Sequence, residues 1–133
     1  MTLSHKTLRL LTVLSNRDKI RAEQATAEAA QRLAALDRQS ATLSGYVNGL
    51  SERLAEAGTR SGIELRAYAQ FIEMGLRARA QNEQAIRAGQ AAQTAALDTL
   101  ASATEKHKSL LRAVERGEAA AEILAERTSE RRE

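Results

Sequence analysis

The chain has 133 residues and a net charge of +3, with no cysteine, no proline and only 2% aromatics. Without cysteine there are no disulfides and no thiolate chemistry, and so few aromatics exclude an ordinary aromatic-rich core. Ala, Leu, Glu, Arg and Gln dominate. With the strongest helix breaker missing throughout, this composition predicts an all-α chain of long helices in a single domain.

The N-terminal arm is the basic end. Lys6, Arg9, Arg17, Lys19, Arg21 and Arg32 outnumber Asp18, Glu23 and Glu28 over the first 35 residues. The run Leu10-Leu11-Thr12-Val13-Leu14 is too short for a signal peptide and no small-residue cleavage site follows it. A mitochondrial presequence imitates it better, but the helical pattern continues through Asp18 and Glu23. The arm reads either as a solvated helix face or as a dock for an acidic protein surface. Nucleic acid is the weaker partner, because the arm has no basic run, no interleaved aromatics and no zinc or helix-turn-helix signature. Between Ser15 and Ala22 the phase stays open between a Leu11/Leu14 and a Leu10/Val13 stripe. No segment reaches the roughly 18 apolar residues that span a bilayer.

Helix 1 is expected from about 3 to about 57. Its ladder is Leu33, Leu36, Ser40, Leu43, Val47, Leu50, Leu54 and Ala57, at alternating steps of three and four. Such a repeat keeps one stripe on one partner helix and specifies a coiled coil. A turn at 58–62 follows, with Gly58 placed for a C-terminal cap and Ser61 with Glu64 as a Ser-x-x-Glu capping box. Helix 2 is expected from about 63 to about 128, with 129–133 frayed. Its ladder starts Leu65, Tyr68, Ile72, Gly75, Arg79, Asn82, Ile86, Gly89 and Gln93. It goes on through Ala96, Leu100, Ala103, His107, Leu110, Val114, Gly117, Ala121 and Leu124. So short a connection makes the helices antiparallel neighbours, a coiled-coil hairpin. Partner positions should total about 120, bringing Leu54 to Leu65, Leu50 to Tyr68–Ile72 and Val47 to Ile72. Farther from the turn, alanines such as Ala22, Ala25, Ala29 and Ala30 bury little area, so that half should be looser.

Tyr46, Tyr68 and Phe71 come to one level near the turn. Tyr68 is on the ladder, whereas Tyr46 and Phe71 each sit one place before a ladder residue. They belong to a second stripe of Gln39, Leu43, Tyr46 and Leu50 with Phe71, Gly75, Ala78 and Asn82. This stripe either widens the seam or offers an aromatic patch to a partner. Gly45-x3-Gly49 lacks the Lys-Ser/Thr of a phosphate loop and reads as a place where helix 1 bends or closely approaches helix 2. His5 and His107 have no ligand at i+3 or i+4, and His107 reads as a tolerated polar residue of the seam. The expectation is therefore a protein that is not an enzyme and has no cofactor or metal.

Several motifs resemble the flagellar export protein FliJ family. They are Leu8-x-Leu10-x3-Leu14-x2-Arg17 running into Leu33-Ala34-Ala35-Leu36, then Gln39-x3-Leu43-x2-Tyr46-x3-Leu50, and above all Gly62-Ile63 followed by Tyr68-Ala69-Gln70-Phe71-Ile72. The resemblance covers most of the chain. It implies a two-helix stalk in the ring of the type III export ATPase that also contacts the export gate protein and escorts export chaperones, in the cytoplasm at the inner face of the flagellar base. The family's gate contacts fall on Gln39, Leu43, Tyr46, Leu50, Phe71, Gly75, Ala78 and Asn82. Gly75, where the family often has leucine, and Asn82 depart from its pattern, and Leu76 would take over from Gly75 by a small rotation. The family's ATPase contacts use the two helix termini, which implicates the C-terminal end of helix 2 and the basic N-terminal arm, here Leu8, Leu11, Leu14, Arg17, Lys19 and Arg21. The equivalent stalk of a virulence secretion system and a generic coiled-coil tether are the alternatives.

Overall fold

Uninterrupted helix formers fold here into two long helices, and the caps that start them are local. The computed structural model describes residues 4–56 and 61–132; Leu3, Ala57 and the expected cap Gly58 lie outside the described residues. Helix α1 spans His5–Glu56, 52 residues, and α2 spans Gly62–Arg132, 71 residues. Ser4 caps α1 by accepting the Thr7 amide at 3.2 Å, and Ser61 caps α2 by accepting the Glu64 amide at 3.3 Å. The capping serine thus starts α2 at Gly62. At the other end α2 continues through the residues expected to fray. Thr128 donates back to the Leu124 carbonyl at 2.8 Å, and Arg131 and Arg132 place positive charge against the negative helix end.

The fold is all-α, an antiparallel hairpin of these two helices. It divides into two compact units, Glu28–Thr94 nearer the turn and Met1–Ala27 with Ala95–Glu133. In the Glu28–Thr94 unit the core is Val47, 4% exposed, and Leu50, 8% exposed. A Cβ on Gly75 would stand 2.7 Å from Val47 Cγ2, and one on Gly89 would stand 3.1 Å from Leu33 Cδ2. Val47 therefore faces Gly75, one ladder step past the Ile72 expected. The close approach of the helices lies here, and not at Gly45 or Gly49, where an added Cβ would meet nothing. Asn82 is buried and donates to the Leu36 carbonyl across the seam at 3.1 Å.

In the other unit the buried residues are Ala22 and Ser15, the latter 2% exposed. Ser15 Oγ donates to the Thr12 carbonyl at 2.8 Å, which leaves it to accept from His107 Nδ1 at 2.9 Å. Arg9 donates to Glu118 at 3.0 Å. Positions 15 and 107, like 47 and 75, total 122, close to the register expected. The ladder of α2 is buried or half-buried at every step from Tyr68 to Gly117. Ala121 and Leu124 are exposed, because α1 begins at His5, which already sits beside Glu118.

The whole chain exposes 10315 Å², against about 6,900 Å² expected of a globular protein of its mass. Little interior is available to hold it together, and the i,i+4 pairs Arg77–Glu73, Arg79–Glu83 and Lys19–Glu23 add only about 0.2–0.5 kcal/mol each.

Candidate partner interfaces

Near the start of α2, capping by Ser61 sets the helical phase that puts Tyr68 and Ile72 on the seam and Phe71 at its edge. On α1, Val47 and Leu50 turn inward and Tyr46 is left on the same flank. Tyr46 is 51% exposed and Phe71 50%. With Leu50, Ala67 and Tyr68 they line an open groove of about 300 Å³, to which Arg53 and Glu64 add charged side chains. Gly45 and Gly49, lacking side chains, open a second shallow groove on the other side of Tyr46.

The nine residues assigned to a gate contact divide between the seam and the surface. Gln39, Tyr46, Phe71 and Leu76 are exposed, Leu43 and Ala78 are half-buried, and Leu50, Gly75 and Asn82 are buried between the helices. Gly75 and Asn82 serve the hairpin itself, one by close packing and the other by its hydrogen bond. Leu76 does not replace Gly75 on the aromatic flank. Five residues past Phe71, it points about 140° away, on the opposite side of the seam. Met74, 63% exposed, extends the aromatic flank instead. It sits three residues after Phe71, and that spacing was the signal available for it.

The basic arm divides in the same way. Leu8 and Leu11 are half-buried on the seam with Ser15 and Ala22, while Leu14 is 45% exposed. The seam thus keeps Leu11 of the one stripe but not its partner Leu14, and leaves the Leu10/Val13 stripe outside. Lys19 is half-buried and 3.9 Å from Glu23. Arg17 and Arg21 are exposed, and Arg21 lines a groove with Asp18, Ala22 and Lys106. Leu10, Val13 and Ile20, which were not assigned to any contact, are 59%, 56% and 44% exposed. Among the described residues no cluster of three His, Asp or Glu could hold a metal, and no helix is long and apolar enough to cross a membrane.

The fold and these faces define a coiled-coil hairpin that leaves large apolar side chains uncovered in each of its units. Compared with protein-family models, curated proteins and solved structures, the chain gives no match.

Proposed function

We propose that this chain is a nonenzymatic stalk of the flagellar type III export apparatus, seated in the export ATPase ring and coupling it to the export gate protein. Export chaperones are its passing partners. It works in the cytoplasm at the inner face of the flagellar base and meets the membrane only through other proteins. The observation that carries this reading is the half-exposure of Tyr46 and Phe71 beside a seam already filled by Val47, Tyr68 and Ile72. The run Tyr68-Ala69-Gln70-Phe71-Ile72 after the Gly62 helix start supports it as the least generic of the FliJ-like motifs.

On this reading the gate meets Tyr46, Phe71, Ala78 and the neighbouring Met74, while Leu14, Arg17 and Arg21 meet the ATPase. Truncating an aromatic anchor in a partner pocket costs about 2 kcal/mol or more of binding. Losing it from a solvent-facing helix costs only about 0.5 kcal/mol of stability. Phe71→Ala is therefore expected to leave helicity and melting nearly intact and to weaken binding to a purified flagellar gate protein at least about tenfold. A large loss of melting temperature with gate affinity preserved would place Phe71 in the core and remove the site. Binding only to a virulence-system gate would move the stalk to that apparatus, and an elongated dimer that binds neither would leave the tether.

A further inference from the structure

The side of α1 that faces away from α2 carries its own repeat. Lys6, Leu10, Val13, Arg17, Ile20 and Gln24 follow one another at steps of four, three, four, three and four, and all six are exposed. That is the spacing of a coiled-coil seam, about 180° round the helix from the one occupied by α2. Leu14 and Arg21 flank it on one side and Arg9 on the other, as e and g positions flank a and d. The acids of this stretch lie elsewhere. Asp18 lines the inner groove with Arg21 and Lys106, and Glu23 sits 3.9 Å from Lys19 at the edge of the seam with α2. The outward stripe is therefore apolar and basic, with no carboxylate of its own.

We infer that this stripe is a second seam, which takes an acidic amphipathic helix from a partner protein. Leu10, Val13 and Ile20 supply apolar knobs for the partner's own apolar stripe. Arg17 and Lys6, at seam positions, require carboxylates opposite them, and Arg21 requires one at the flank, whereas Arg9 is already paired with Glu118 of α2. A bilayer surface fits less well, since an interfacial helix keeps its cations on the polar edge, whereas Arg17 stands in the middle of the apolar stripe between Val13 and Ile20. A parallel second copy would set Arg17 against Arg17 and Lys6 against Lys6, and an antiparallel one would set Arg17 against Val13 and Lys6 against Gln24, so neither supplies a carboxylate. The inference deepens the proposed docking role of the arm and rests on it, naming the chemistry of the partner surface.

The test uses the full chain and a fluorescein-labelled synthetic helix of three heptads, with leucine at a and d except for glutamates placed to meet Lys6 and Arg17, and glutamate at e and g. A second peptide replaces every glutamate by glutamine, and a third by lysine. Anisotropy should show the glutamate peptide binding at least about tenfold tighter than the glutamine peptide. Val13→Glu should abolish that binding. Arg17→Glu should weaken it and confer binding of the lysine peptide, with helicity unchanged because both side chains face solvent. Equal binding of the glutamate and glutamine peptides, or binding indifferent to Val13→Glu and Arg17→Glu, would overturn the inference. So would capture of the chain by phosphatidylglycerol vesicles through Val13 and Arg17 with no peptide binding. If the arm binds an export ATPase but not the glutamate peptide, the docking role stands and the second seam falls. If it binds the peptide but no export ATPase, the seam stands and the export reading falls.

Discussion

At the scale of single residues, three glycines in the Glu28–Thr94 unit act in opposite senses. An added Cβ gains about 0.8–1 kcal/mol of helix propensity wherever it has room. Gly45 and Gly49 have that room, so Gly45→Ala and Gly49→Ala are expected to raise the melting temperature. At Gly75 the new Cβ lands 2.7 Å from Val47 Cγ2, and a valine in a helix has essentially one χ1 rotamer. Overpacking costs about 1–3 kcal/mol, which outweighs the propensity gain. Gly75→Ala should therefore lower stability in urea unfolding, and adding Val47→Ala should recover part of the loss. A Gly75→Ala variant as stable as the parent would mean that the helices separate there at no cost.

At the scale of the elements, the two units bury different kinds of residue. The turn-proximal unit holds Val47 and Leu50, and the other holds Ala22 and the Ser15–His107 pair. Burying one Val or Leu contributes about 1.5–3 kcal/mol, and alanine much less. Amides of 8–26 and 96–117 are accordingly expected to exchange with deuterium roughly tenfold faster or more than those of 33–54 and 68–93. The reverse order would show that the polar pair compensates for the missing aliphatics. The helices, their ladders and the capping serine at 61 were legible because each depends on spacing or on chemistry within one turn. The seam of α1 before Ala22 was not, because it runs through Leu8, Leu11, Ser15 and Ala22. A serine there looks like a surface residue until His107 supplies its partner. The buried status of Gly75 and Asn82 was hidden for a related reason. Their ladder positions were plain, but a side-chain-free contact and a bond to a backbone carbonyl leave no trace in hydropathy. Leu10 and Val13 were masked by their neighbours, since in the run Leu10-Leu11-Thr12-Val13-Leu14 nearly every phase looks hydrophobic, and Ile20 stands alone between Lys19 and Arg21.

For the molecule as a whole, so little interior means that stability and partner occupancy are linked, and any ligand of the folded hairpin should raise its melting point. Charge enters mostly through encounter rate. Replacing Arg17, Lys19 and Arg21 together by alanine is expected to slow association with an export ATPase ring. The parent's association rate should itself fall as ionic strength rises past about 0.1 M, where the Debye length is about 10 Å. Surface plasmon resonance over a salt series checks both. Unchanged association by the triple variant would remove the arm from ring binding. Because Lys19 is half-buried and beside Glu23, the single Lys19→Ala change should contribute least of the three.

The bond from Asn82 reaches a main-chain oxygen on α1, not a side chain. Every residue type presents the same carbonyl, so mutational drift at position 36 can alter packing but cannot abolish this acceptor. The side-chain requirement of this one bond is thus lodged wholly in α2. As the two halves diverge over evolutionary time, position 36 is free to change its side chain while a single codon on α2 keeps the bond.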